Sequence, residues 1–276
     1  MTYRFITFLT DFGLQDDFVG TCHGVMKRIA PDVQIIDITH GIPRQRVLQG
    51  ALVLANTVPY MPDDGVHLAV VDPGVGGSRR PLALRDASGG LYVGPDNGLL
   101  VPSAEKRGGI ADARELSNPD FALPSVSRTF HGRDLFAPAA AHLALGVSLE
   151  ELGPPVDPEA LVRLDLPEPQ VYATGVAATV LYVDGFGNMQ LNLDREHLDR
   201  VGVVPGTKLE LEFAGERYYA TAARTFGDAR RGDIILYEDA YRNVAVAING
   251  GNASQMFGVQ PGEQVSILVG STLARR

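Results

Sequence analysis

The stretch GVHLAVVDPGVGGSRRP, residues 65–81, decides how the first half of the chain is interpreted. A largely apolar run ends in a carboxylate, Asp72, and three glycines and two arginines follow within eight residues. A mostly apolar run of this length is typical of a strand that is buried on both faces. The sequence therefore predicts a strand over 65–73 that places Asp72 at its carboxyl end, where open α/β sheets bind ligands.

Strand and helix signals alternate on both sides of this stretch. Apolar runs and apolar residues at helical spacing occur in this order: strand 4–10, helix 16–31, strand 33–39, helix 47–61, hairpin 82–96 and helix 131–146. Pro138 is expected near the start of the last helix or at a kink in it. The alternation predicts an α/β fold, with an N-terminal α/β domain over 1–160 whose mostly parallel sheet is covered on both faces.

The signals change after a proline-containing crossing near 153–170. Short apolar strands follow, separated by turn dipeptides such as Pro-Gly and Gly-Asp. Strands at this spacing predict a small β-barrel or a sandwich for a second domain over 170–276.

Composition excludes several classes of protein. A net charge of −9 over 276 residues argues against a nucleic-acid binder, which needs a basic face. Cys22 is the only cysteine, so no intrachain disulfide and no cysteine-based metal site is expected. Neither a zinc-binding motif nor an apolar stretch of membrane-spanning length is present. The N-terminus lacks the layout of a signal peptide, so a cytoplasmic protein is expected.

Three candidate sites lie in the first half. Asp11 follows the first predicted strand, Asp72 and Arg79 belong to the glycine-rich stretch, and His131 precedes a helix. Each has an ordinary structural alternative: Asp11 as part of a helix cap, Arg79 as a solvated charge, and His131 as a packing residue. His131 becomes a candidate catalyst only if it meets Asp72 in space.

Two further candidates lie in the second half. Asp184 and Asn188 occur in YVDGFGNMQLN, and Gly250 occurs in NGGNAS, where backbone groups can face a ligand. A β-hairpin turn explains the same residues. Asp-Phe-Gly at 11–13 does not indicate a kinase because the other kinase motifs are absent, and no G-x-S-x-G nucleophile motif occurs.

Taken in order, these stretches resemble the S-adenosyl-L-methionine (SAM) hydroxide adenosyltransferase family, which is related to the fluorinase and the chlorinase. The resemblance runs over nearly the full length and is carried by LTDFGLQDDFVG (9–20), VVDPGVGGSRRP (70–81), VGPDNGLL (93–100), FHGRDLFAPAAAHLA (130–144) and DGFGNMQLN (184–192). It implies an N-terminal α/β domain, a C-terminal β-barrel, and a homotrimer with SAM bound between neighbouring subunits.

The resemblance also implies a reaction, in which water attacks C5′ of SAM and yields adenosine and L-methionine, with SAM as substrate and no cofactor. Asp72, Arg79 and His131 correspond to the catalytic set, with His131 favoured for handling the proton because a guanidinium weakens Asp72 as a base. Asp11 corresponds to the acid that holds the ribose hydroxyls.

In the second half, Asp184 and Asn188 correspond to polar contacts of the methionine and adenosine groups, and Gly250 is placed with them. Ala240 occupies a position where the family usually has a serine, which affects the methionine end. Two alternatives stay open: a chlorinase-like halogenase, disfavoured by Asp72 and His131, and a non-catalytic SAM or nucleoside binder.

Overall fold

The computed structural model describes residues 2–269. The chain divides into two compact units, Met1–Leu164 and Asp165–Arg276. Residues 270–276, which belong to the predicted second domain, lie outside the described residues, as does Met1.

The N-terminal unit is built on one six-stranded sheet. Its strands are β1 (Phe5–Thr10), β2 (Gln34–Thr39), β3 (Gly65–Val70), β4 (Pro81–Asp86), β5 (Leu91–Pro95) and β6 (Ile110–Glu115). The strand order is β2-β1-β3-β5-β4-β6. Pairs among β2, β1, β3 and β5 are parallel, whereas β4 runs antiparallel to β5 and β6. The predicted mostly parallel sheet is therefore confirmed.

Helices cover both faces of this sheet. They are α1 (Phe18–Ile29), α2 (Val47–Thr57), α3 (Val101–Lys106) and α4 (Ala137–Ala144). One apolar cluster packs α1 and α4 against the sheet, and another packs α2 and α3. The last predicted helix differs in form, because a π-helical turn, Gly132–Phe136, precedes α4. Pro138 lies in the first turn of α4 and donates no N–H, and the carbonyl of Asp134, four residues before it, instead accepts the N–H of Leu123 at 2.9 Å.

The C-terminal unit is a closed barrel, as the resemblance implies. Its strands are β7 (Gln170–Tyr172), β8 (Gly175–Val183), β9 (Met189–Leu191), β10 (Lys208–Phe213), β11 (Glu216–Ala222), β12 (Ile234–Glu238), β13 (Val244–Ile248) and β14 (Gln264–Val269). Pairing between β14 and β8 closes seven strands into a ring, and β7 pairs outside that ring with β8. Alternate residues of β10 point into the barrel core: Leu209, Leu211 and Phe213.

Two short helices accompany the barrel, α5 (Arg195–Arg200) and α6 (Ala253–Phe257). Within residues 2–269, no helix combines the length and the apolar character that a membrane crossing requires.

Candidate active site

Asp72 and Arg79 form a buried ion pair just beyond the carboxyl end of β3. Arg79 Nε donates to Asp72 Oδ1 at 3.1 Å and to Oδ2 at 3.0 Å, and Arg79 Nη2 donates to Oδ2 at 2.5 Å. The two side chains are only 5% and 10% exposed. Bidentate hydrogen bonds of this kind hold a carboxylate in one orientation and place a positive charge beside it. Arg79 is therefore not the solvated charge of the structural alternative.

His131 joins the pair through Arg79. Arg79 Nη2 lies 2.8 Å from His131 Nδ1. A guanidinium can only donate, so Nδ1 accepts this hydrogen bond, and a neutral ring must carry its proton on Nε2. The structure thus brings the three predicted residues together, although His131 meets Asp72 through Arg79 and not directly.

The electrostatic surroundings favour the neutral form of His131. Burial lowers the pKa of His131, and the positive charge of Arg79 lowers it further, while Asp72 acts in the opposite direction. The guanidinium also lies over an aromatic ring, since Arg79 Cζ is 5.2 Å from the centre of the Phe136 ring. Phe136 escaped the sequence analysis because an apolar residue in a helical stretch is ordinarily a core residue.

A glycine allows the two loops of this cluster to meet. Gly76 has φ +73°, and a Cβ at this position would lie 2.2 Å from the carbonyl oxygen of Arg128. The 70–81 loop therefore rests against the backbone that leads into His131. Any side chain at Gly76 would separate Arg79 from His131.

Asp11 lies directly after β1, as predicted. Its Oδ2 accepts the backbone N–H of Gln45 at 2.8 Å. It caps no helix, because α1 begins only at Phe18. Within the part of the chain that the structure describes, Asp11 shares no hydrogen bond with the Asp72–Arg79–His131 cluster.

The loop that carries Asp11 nevertheless contacts the loop that carries His131. A Cβ on Gly132 would lie 2.9 Å from the ring of Phe12. The rings of Phe12 and Phe130 are 5.8 Å apart in an edge-to-face arrangement. These contacts hold the ends of two motifs side by side in the N-terminal unit.

The GPDNGLL stretch supports the 70–81 loop from the neighbouring strand. Arg80 Nε donates to Asp96 Oδ2 at 2.8 Å, and Asn97 Nδ2 donates to the carbonyl of Val71 at 2.9 Å. Asp96 is 4% exposed and also accepts the N–H of Val162. Its contacts are those of a structural residue.

Asp184 and Asn188 bond to each other within the β8–β9 turn. The Asp184 carboxylate accepts the backbone N–H groups of Phe186 and Asn188, both at 2.9 Å, and Asn188 Nδ2 at 2.8 Å. The hairpin alternative thus describes their internal contacts. The turn also presents Phe186 to solvent, with 80% of the residue exposed.

Gly250 lies in the loop that packs against this turn. Its φ is +74°, which favours glycine at this position. Just after this loop, in the first turn of α6, Ser254 N–H donates to the carbonyl of Gly187 at 3.0 Å, and a Cβ on Gly187 would lie 2.1 Å from Asn252 Oδ1. The predicted residues of the C-terminal unit therefore belong to two adjoining loops.

Comparison with known proteins identifies the family. The chain matches the SAM hydroxide adenosyltransferase N-terminal domain over residues 6–153 and the C-terminal domain over residues 178–266. It is 48% identical to an (R)-S-adenosyl-L-methionine hydrolase of Salinispora tropica, over 96% of this chain and 98% of that protein. It is 30% identical to a fluorinase of Nocardia brasiliensis, over 96% and 97%.

A solved structure has the same fold. The crystal structure of an uncharacterized conserved protein from Thermotoga maritima superposes with a TM-score of 0.89 at 35% identity, covering 95% of this chain and 99% of that one. The chain belongs to the SAM hydroxide adenosyltransferase family.

Proposed function

We propose that this protein is an enzyme that hydrolyses S-adenosyl-L-methionine to adenosine and L-methionine. The observation that carries the proposal is the buried Asp72–Arg79–His131 cluster at the carboxyl end of β3. The 48% identity to a named hydrolase of Salinispora tropica supports it. SAM is the substrate, and the reaction uses no cofactor and no metal.

In this hydrolysis the water nucleophile needs help from the enzyme, whereas the leaving group does not. Water attacks C5′ in line with the C5′–S bond; the C5′–O bond forms as the C5′–S bond breaks, and the bonding pair moves to sulfur. The sulfonium becomes a neutral thioether, so the leaving group needs no acid. One proton of the water must depart, and the water must be held in line. Orientation of this kind supplies up to about 7–11 kcal/mol.

Asp72 accepts the proton of the attacking water. It is a desolvated carboxylate held in one orientation by Arg79. A positioned base contributes about 10²–10⁴ in rate. The Arg79 guanidinium supplies the positive charge that stabilises the oxygen as it takes on hydroxide character.

His131 positions Arg79 through its Nδ1, and the proton of its neutral ring lies on Nε2, which can donate a hydrogen bond. Its Nδ1 already accepts from Arg79, so the neutral ring has no free lone pair for a proton of water. On the strength of this contact we infer that Asp72 accepts the proton, although the sequence alone favours His131. The lowered pKa of His131 keeps a second positive charge away from Arg79.

The remaining predicted residues bind the substrate. Asp11 accepts hydrogen bonds from the two ribose hydroxyls, for which a carboxylate has enough lone pairs even while Oδ2 accepts Gln45 N–H. Asp184, Asn188 and Gly250 form the part of the site that contacts the methionine and adenosine groups.

The enzyme acts in the cytoplasm as a homotrimer with its substrate sites between subunits.

The test is incubation with SAM and excess chloride in H₂¹⁸O, read by liquid chromatography and mass spectrometry. Adenosine that carries ¹⁸O, together with methionine, is the expected product. 5′-Chloroadenosine would instead establish the halogenase alternative that the fluorinase relative represents, and unconsumed SAM would contradict both enzymatic functions. Size-exclusion chromatography with light scattering tests the trimer separately.

A further inference from the structure

We propose that His23, Asp37 and His40 form a binding site for a divalent transition-metal cation of the Zn²⁺ class. α1 carries His23, β2 carries Asp37, and His40 directly follows β2. One ligand atom from each lies within 4.8 Å of the other two. Across residues 2–269, this is the group of three His, Cys, Asp or Glu side chains whose ligand atoms converge in this way.

The distances are close to those of a coordination sphere. His23 Nε2 lies 2.9 Å and His40 Nε2 lies 3.0 Å from Asp37 Oδ1. Ligands at about 2.0–2.2 Å from a tetrahedral Zn²⁺ are about 3.4 Å from one another. A cation at the centre therefore requires small side-chain shifts and no movement of the backbone elements.

His40 gives a second, independent indication of a ligand. Its side chain is 3% exposed, and its Nδ1 is held 2.8 Å from Thr10 Oγ1. Its Nε2 is buried and has no hydrogen-bond partner among the described residues, because Asp37 Oδ1, although near, lies off the direction of an N–H bond. Buried nitrogens are nearly always satisfied, so this atom points to a missing partner.

The hydrogen bond to Thr10 is the kind that metal-binding histidines make. When Nδ1–H donates to Thr10 Oγ1, the lone pair of the neutral ring lies on Nε2, which faces Asp37 and His23. Outer partners of this type fix the tautomer and the ring orientation of a ligand.

Charge and access fit a hydrated cation. Asp37 supplies a negative charge, and the side chains of His23 and Asp37 are 31% and 41% exposed, so the site opens to solvent. Two imidazoles and one carboxylate are ligands that Zn²⁺ uses when water fills the fourth position. His40 also accepts the N–H of Gly13 at 2.8 Å through its carbonyl, so a bound cation stabilises the turn that contains Asp11.

The experiment is calorimetric titration of chelator-treated full-length protein with ZnCl₂. One equivalent per chain is expected to bind with a Kd in the micromolar range or below. His23→Ala and Asp37→Asn are each expected to weaken binding by at least about 10–100-fold, the loss that removal of an outer partner of a ligand already causes. His197→Ala is the matched control, because His197 Nδ1 lies 2.6 Å from Asp194 Oδ1 in a pair that no third candidate ligand joins among residues 2–269. Its affinity should equal that of the wild type.

A second readout does not depend on turnover. Zn²⁺ should raise the Tm of the wild type and of His197→Ala, by mass action, but not that of His23→Ala. Millimolar binding only, or a His23→Ala protein that binds Zn²⁺ as tightly as the wild type, would overturn the proposal. Neither result depends on whether the protein hydrolyses SAM.

Discussion

Each unit has an aspartate within two residues of the end of a β-strand, Asp72 after β3 and Asp184 after β8, but the two aspartates obtain their partners differently. Asp72 pairs with Arg79 seven residues away, and Arg79 reaches His131 a further 52 residues along the chain. Asp184 accepts all of its hydrogen bonds from residues within four positions. A turn accounts for the contacts of Asp184, whereas only the packing of separate loops accounts for those of Asp72.

A second turn of the barrel shows which contacts of Asp184 are ordinary turn contacts. The β12–β13 turn repeats the pattern of the β8–β9 turn, since Asp239 accepts the N–H groups of Tyr241 and Asn243 at 2.8 and 2.9 Å. Arg242, with φ +66°, stands where the other turn has Gly187. Both turns are therefore stabilised by the same local hydrogen bonds, from backbone N–H groups two and four residues after the aspartate. A binding role for Asp184 has to come from what faces its turn, not from the turn itself.

The largest effect is expected at Asp72. Asp72→Asn keeps the shape of the side chain but removes the base, so kcat should fall by about 10²–10⁴. Adenosine formation measures the change, with Asp16→Asn as a control at an exposed acid in the loop between β1 and α1. Thermal unfolding of both variants separates loss of chemistry from loss of fold. Turnover of Asp72→Asn within threefold of the wild type would remove Asp72 as the base.

The next effect concerns the acid stability of the N-terminal unit. Burial lowers the pKa of His67 to about 4, so the neutral ring stabilises the fold fully above about pH 6.5, and this contribution is lost as the pH falls towards 4. The loss is up to about 3 kcal/mol, from a shift of about 2.5 units at about 1.36 kcal/mol each.

Urea unfolding of the wild type and of His67→Gln at pH 7.5 and pH 5 measures it. The variant should lose less stability on acidification, because glutamine does not titrate. An equal loss in both proteins would assign the acid sensitivity to other groups.

At Asp11 we expect a change in affinity. Asp11→Asn removes a charged acceptor that the ribose hydroxyls need, and such hydrogen bonds contribute about 1.5–3 kcal/mol, so KM for SAM should rise by about 10–100-fold with a smaller change in kcat. Initial-rate kinetics over a range of SAM concentrations give both constants. An unchanged KM would place Asp11 outside the substrate site.

The smallest effect tests the two turns of the barrel against each other. Asp184→Ala and Asp239→Ala each remove hydrogen bonds within a turn, and each should lower the free energy of unfolding by about 1–2 kcal/mol. Only Asp184→Ala should also raise KM for SAM. Denaturant unfolding measures the stability of both variants, and initial-rate kinetics measure their KM for SAM. An equal rise in KM in both variants would mean that the effect comes from the loss of a turn and not from a contact between Asp184 and SAM.

Much of the fold follows from local patterns. The strands that became β1, β2 and β3 and the hairpin of β4 and β5 were predicted, because apolar runs and Gly-containing turns are local signals. Several short elements escape prediction, among them α3, β6, α5 and α6, because none of them contains a continuous apolar run or spans enough residues to show a helical period. The π-helical turn before α4 has no sequence signal comparable to Pro138.

The sequence by itself determined the α/β order, the strand-end positions of Asp11 and Asp72, and membership in a family whose motifs occur in register. Only the tertiary structure decided which charges meet, because contact between Arg79 and His131 depends on two loops docking at Gly76. The same reason applies to His23, Asp37 and His40, whose spacing matches no metal motif but whose ligand atoms lie within 4.8 Å of one another. Local conformational propensity depends on each residue and its neighbours in the sequence. The tautomer, burial and partner of a side chain depend instead on residues that are distant in the chain.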